Sequence, residues 1–158
     1  MVFGFILHSL DKEKEPFVCL SVFYNKEGND NRKKEREQHI TKRKAERVEG
    51  VLRLGTEVGL FAEPKVVLWK QVQKVALVAV CEVDENQYLA ANFLTHYAAM
   101  LVEQFKSPSI LAKPKELLNR PEEMLMLLHT FLPNGQLLFT SDQYAKHLRR
   151  EFDESLLA

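Results

Sequence analysis

The 158-residue sequence has two cysteines, six glycines, one tryptophan and no excess of either charge. Each shortage excludes something. Cys19 and Cys81 sit alone in apolar surroundings, Phe17-Val18-Cys19-Leu20 and Val78-Ala79-Val80-Cys81, with neither zinc-knuckle nor thioredoxin spacing. They read as small buried hydrophobes in a reducing compartment. The glycines are scattered singly, and none builds a Gly-rich loop between a strand and a helix, which removes the nucleotide-binding signatures. The five histidines, His8, His39, His96, His129 and His147, include no His-x-x-x-His pair, and no Gly-x-Ser-x-Gly elbow occurs. The expectation is a non-enzyme with no catalytic residues, no cofactor and no metal. No apolar window reaches the roughly 18 residues a spanning helix needs. The apolar opening Met1 to Leu7 is broken by His8 and a charged run, so it reads as a strand rather than a leader, in a soluble chain.

What is present is ordinary globular composition, 46% hydrophobic and 28% charged, at the length of one domain. With 22 Lys+Arg against 22 Asp+Glu, no polyanion-binding surface covers the whole molecule. The neutrality is uneven. Between Arg32 and Arg47 lie eight basic residues (Arg32, Lys33, Lys34, Arg36, Lys42, Arg43, Lys44, Arg47) and three acidic ones (Glu35, Glu37, Glu46), a local +5 balanced by −5 elsewhere. This stripe is either a solvated helix face or a surface for an acidic partner, an anionic membrane or nucleic acid.

Residues 2 to 10 and 17 to 25 read as two strands joined by the charged loop Asp11 to Pro16. In the second, Val18, Leu20 and Val22 alternate with Phe17, Cys19, Ser21 and Phe23, so both faces should be covered. Gly28-Asn29-Asp30-Asn31 has helix-capping chemistry, and the Pro-free stretch to about Val58 is expected to be one long helix with Ile40, Ala45, Val48, Val51, Leu52 and Leu54 as its stripe. The basic residues then occupy a helix start or a disordered connection before it, since cations there oppose the macrodipole. Val66 to Val72 and Val75 to Val83 are strands, the second continuous enough to be central. Ala90, Phe93, Leu94, Tyr97, Leu101 and Phe105 mark an amphipathic helix of about five turns.

A further helix starts at Asn119-Arg120-Pro121 and stops at Pro133-Asn134-Gly135. Met124 to Leu128 make it apolar almost all round, which requires either core on two sides or a partner on the outer one. Trp69 is likewise a core, edge or interface residue. After the link Leu137-Leu138-Phe139, Ser141-Asp142 caps a last helix bearing Tyr144, Leu148, Phe152 and Leu156. The order β-β-α-β-β-α-α-α, with room for a fifth short strand, predicts an α+β fold of one antiparallel sheet flanked by helices.

The opening Met1-Val2-Phe3-Gly4-Phe5-Ile6-Leu7, the hairpin Lys65-Val66-Val67-Leu68 with Val75 to Val80, and Phe131-Leu132-Pro133-Asn134-Gly135-Gln136 running to Thr140-Ser141 resemble the small sigma subunits of clathrin-adaptor complexes. Phe5 and His8, Glu63-Pro64-Lys65 leading to Trp69, and Phe131 to Phe139 with Asp142-Gln143 are most similar to the sigma subunit of the fifth adaptor protein complex. Residues 26 to 60 lack the resemblance. It implies a longin-like fold over residues 1 to 158, with 26 to 47 a charged segment within it, and a non-catalytic subunit of a heterotetramer. Its partners would be large zeta and beta subunits and a medium mu subunit, with spatacsin and spastizin. Its place would be cytoplasmic, peripheral on late endosomes and lysosomes, in vesicle-mediated transport. A DNA-repair role, with a nuclear location, also attaches to that family. The family's dileucine-cargo positions read Leu68-Trp69-Lys70-Gln71 and Phe17 to Tyr24 here, and its usual Glu beside the Gly turn is Gln136, so no cargo pocket carries over. The other readings are a basic-segment nucleic-acid-associated protein and a longin-type trafficking regulator.

Overall fold

The computed structural model describes residues 1–10, 16–42, 48–137 and the separate positions 150, 153, 154 and 156. Five strands form one antiparallel sheet: β1 (Val2–Ser9), β2 (Val18–Phe23), β3 (Glu49–Leu54), β4 (Lys65–Val72) and β5 (Val75–Glu82), in the spatial order β2-β1-β5-β4-β3. The continuous apolar run of β5 is explained by its central place, since every residue from Val75 to Cys81 is buried. The β4–β5 hairpin turns at Gln73-Lys74, where Gln73 takes a positive φ of 53°.

Helices α2 (Gln87–Phe105), α3 (Pro114–Leu117) and α4 (Pro121–Phe131) follow the sheet. Asn86 caps α2, its side-chain oxygen accepting from the Leu89 N–H at 3.1 Å. The expected stripe of α2, Ala90, Phe93, Leu94, Tyr97 and Leu101, is buried against Phe5, Leu7, Leu68 and Leu77 on one face of the sheet, together with Met124, Leu127, Leu128 and Phe131 of α4. The Tyr97 hydroxyl donates to the Met124 carbonyl at 2.8 Å and ties α2 to α4. Asn134 and Gly135 both have positive φ beyond α4. A Cβ on Gly135 would lie 2.2 Å from the Val2 carbonyl oxygen, so this turn presses on β1 at a distance only glycine allows.

The opposite face carries a smaller cluster, Phe3, Ile6, Phe23, Leu54, Leu60, Phe61, Val67, Val78 and Val80, with Ile40 of α1 (Lys33–Lys42). With this arrangement the chain has the α+β longin-like fold.

Three expectations are corrected. The helix expected to run to Val58 ends at Lys42, and Glu49–Leu54 is instead edge strand β3, paired with β4 from Glu49↔Lys70 to Leu54↔Lys65. Valines and leucines at 48, 51, 52 and 54 fit a helical stripe as well as a strand, and pairing with β4, 11 to 21 residues further along, decided between them. The element order accordingly becomes β-β-α-β-β-β-α-α-α, with the short α3 unforeseen. In β2, a bulge opposite Leu7/His8 breaks the expected alternation. Cys19 and Leu20 both join the α2 side, while Val18 and Phe23 join the α1 side. The helix expected from Ser141 lies outside the described residues apart from positions 150, 153, 154 and 156, which are helical.

Candidate partner-binding surfaces

Both cysteines and one of the histidines are used inside the fold. Burial pushes the Cys19 thiol up to about 11 and that of Cys81 up to about 12, so neither is a nucleophilic thiolate near neutral pH. His8 is buried and its Nδ1–H donates to the Ser9 carbonyl at 2.9 Å. His39 and His129 are exposed, His96 is half-buried, and His147 lies outside the described residues. Among the described residues no three His, Cys, Asp or Glu side chains converge as metal ligands would.

The basic stripe divides into structural and free members. Arg36 is 2% exposed: its Nε donates to the Leu60 carbonyl at 2.7 Å, its two terminal nitrogens grip the Asp30 carboxylate at 2.5 and 3.2 Å, and its guanidinium lies 5.3 Å from the centre of the Phe61 ring. Arg32 donates to the Gly59 carbonyl at 2.6 Å and pairs with Glu35. Lys33 reaches the Ser21 carbonyl at 3.4 Å. These three tie α1 to the 59–61 segment and to β2. Glu35 and Asp30 respond electrostatically: Arg32 holds the Glu35 carboxyl below its ordinary range, and Arg36, then the Arg32 N–H, do the same for Asp30. Lys34 is exposed, and the side chains of Lys42, Arg43, Lys44 and Arg47 lie outside the described residues. The stripe is thus no uniform phosphate-facing surface. Charge counting missed this because the carbonyls of Gly59 and Leu60 carry no signature in sequence.

The apolar surplus of α4 resolves by face. Met124, Leu127, Leu128 and Phe131 fill the core, while Leu125 and Met126 remain 36% and 39% exposed, with Leu118 exposed after α3. Trp69 is half-buried, packed against the α1-side cluster and opposite Gly50. A second exposed apolar set lies on the sheet edge, where Val48 and Val51 are 63% and 52% exposed and Leu52 adjoins them. Read as helix, that set gave no hint of an edge; the signal available was Gly50 between Val48 and Val51, which disfavours helix. Among the described residues the outer side of α4 and the β3 edge are apolar areas suited to protein contact.

A family model described as AP-5 complex subunit sigma-1 matches residues 43–153, spanning β3, the β4–β5 hairpin, α2, α4 and the C-terminal segment. The chain belongs to the AP-5 complex subunit sigma-1 family. Human AP-5 complex subunit sigma-1 is 35% identical over 103 residues, covering 65% of this chain and 50% of that protein. The chain spans about half the length of the curated relative it matches. The family match begins after α1, so it includes β3, where the sequence showed no resemblance, and stops short of β1 and β2, whose opening residues did show one. The apolar areas on α4 and β3 both fall within the stretch that defines the family, whereas the arginine-clamped α1 does not.

Proposed function

We propose that the chain acts, as one domain over residues 1–158, as the sigma-type subunit of a heterotetrameric adaptor complex. In this reading it is non-catalytic, is held by large zeta and beta subunits beside a mu subunit, and works with spatacsin and spastizin. Its site of action is the cytoplasmic face of late endosomes and lysosomes, in vesicle-mediated protein transport, reached through the complex rather than by insertion in the bilayer. The observation that carries the reading is the family match over a domain whose described residues leave the outer side of α4 and the β3 edge apolar and exposed. A small domain of this kind suits being gripped by a larger helical-repeat chain.

The experiment is affinity purification of the tagged full chain with identification of the stoichiometric co-purifying proteins. Large helical-repeat subunits together with a mu-type chain are expected. Recovery of DNA-associated proteins without them would overturn the proposal in favour of a nucleic-acid role. That alternative retains Lys34, Lys42, Arg43, Lys44 and Arg47 as possible phosphate contacts, and it predicts duplex binding that weakens steeply with salt.

A further inference from the structure

The two edges of the sheet are built differently. On β2 the pairing is bulged and α3 and α4 pack against the strand, with Cys19 Sγ reaching the Pro114 carbonyl. Bulging and coverage are the usual protections of an edge. Edge strand β3 has neither: its register with β4 runs without interruption from Glu49 to Leu54, and among the described residues no strand pairs with its outer side.

The Gln71 N–H donates to the Val48 carbonyl at 2.6 Å, which fixes the phase of the ladder. In an antiparallel pair, hydrogen-bonded and non-hydrogen-bonded residues alternate. Gly50, Leu52 and Leu54 therefore bond to β4, while Glu49, Val51 and Arg53 aim their N–H and C=O groups away from it. Those three side chains also share the α2 face of the sheet, because Val51 lies opposite Leu68 of the α2-side core. Charges on an edge ordinarily repel a second copy. Here one acid and one base stand symmetrically, two residues either side of a valine.

We propose that β3 is a self-complementary edge, through which a second copy of this chain adds antiparallel about a twofold axis at Val51. Val51 faces Val51, and Glu49 of each copy faces Arg53 of the other. All three facing pairs fall at positions whose amides and carbonyls point outward, so each exchanges both backbone hydrogen bonds. Glu49 then sits between two bases, Lys70 of its own β4 and Arg53 of the second copy. On the other face Leu52 of each copy lies opposite Gly50 of its mate. A Cβ on Gly50 would come 2.4 Å from Trp69 Cζ2, so the missing side chain leaves the indole as the surface Leu52 meets. A six-residue edge buries little area, so the association is weak and concentration-dependent. The inference rests on β3 alone; with that edge closed by a second copy, the adaptor reading keeps the family match and the outer side of α4 as its support, so either can fail without the other.

Sedimentation velocity of the full chain over roughly 5–500 μM tests it. The unaltered chain is expected to shift from monomer to dimer. Arg53→Glu and Glu49→Arg each place like charges opposite one another and should weaken dimerisation at least ~tenfold. An equimolar mixture of the two variants should recover it, because every facing pair is then opposite in charge. Both residues are exposed, and thermal melting of each variant checks that the fold is retained. A wild-type chain that stays monomeric throughout, a dimer indifferent to both substitutions, or a mixture that does not recover association would each overturn the proposal.

Discussion

The two faces of the sheet are held by different forces. On the α2 side hydrocarbon does most of the packing: Phe5, Leu7, Leu68 and Leu77 meet the buried stripes of α2 and α4, which are also joined by hydrogen bonds from the Tyr97 hydroxyl to the Met124 carbonyl and from the Gln104 amide to the Glu123 carboxylate. On the α1 side a smaller apolar cluster is closed by a short, highly charged helix, and its Arg36, with Arg32 just before it, reaches backbone carbonyls of the 59–61 segment. Burial of apolar area is non-directional and tolerates adjustment, whereas a guanidinium holding carbonyls and a carboxylate does so at one geometry. A basic segment can therefore be structural on its buried members and free on its exposed ones.

Removing a buried side chain from the apolar layer should have the largest effect. Leu127→Ala is expected to cost about 2–5 kcal/mol in urea denaturation, because a fully buried leucine in α4 leaves a cavity behind. A loss below about 1 kcal/mol would mean that α4 contributes little to this face. Arg36→Met keeps much of the side-chain volume but orphans the Leu60 carbonyl; the expected loss is about 1–3 kcal/mol, with the unfolding transition of the α1 side preceding that of the α2 side.

Acid should act on the α1 layer selectively. A carboxyl held below its ordinary value of 3.8, as Asp30 is, contributes stability above that value, and the contribution disappears as pH falls through the lower folded-state value. Fluorescence of Trp69, the sole tryptophan, packed on the α1-side cluster, is expected to change below about pH 4. Asp30→Asn should reduce the change and leave the part that belongs to Glu35, which Arg32 also holds low; an unchanged acid response there would remove Asp30 from the explanation. The smallest effect belongs to Lys34→Ala, at an exposed position two residues from each of the arginine clamps. It should stay within about 0.5 kcal/mol of the unaltered chain, and a loss as large as that of Arg36→Met would abolish the division of the stripe into structural and free members.

Where a residue pattern has one solution, reading it worked. The alternation and continuity of β1, β4 and β5, the spacing of Ala90 to Leu101, and the Pro and Gly punctuation around α4 all found their elements within a residue or two. β3 failed because Val48, Val51, Leu52 and Leu54 satisfy two periods at once, and the strand is recognised only through its partner β4. The β2 faces failed because one bulge shifts every side chain beyond it. The apolar surface on α4 was half legible: the surplus was visible in Met124 to Leu128, but which side remained uncovered was not.

Local periodicity and capping sufficed to make this a neutral α+β chain of domain size, with a central strand beginning at Val75 and two amphipathic helices. The tertiary structure decided which arginines are spent inside, which valines remain at an edge and which charges face outward beside them. Those outcomes depend on carbonyls, registers and strand partners that are distant in the chain, and no local pattern encodes them.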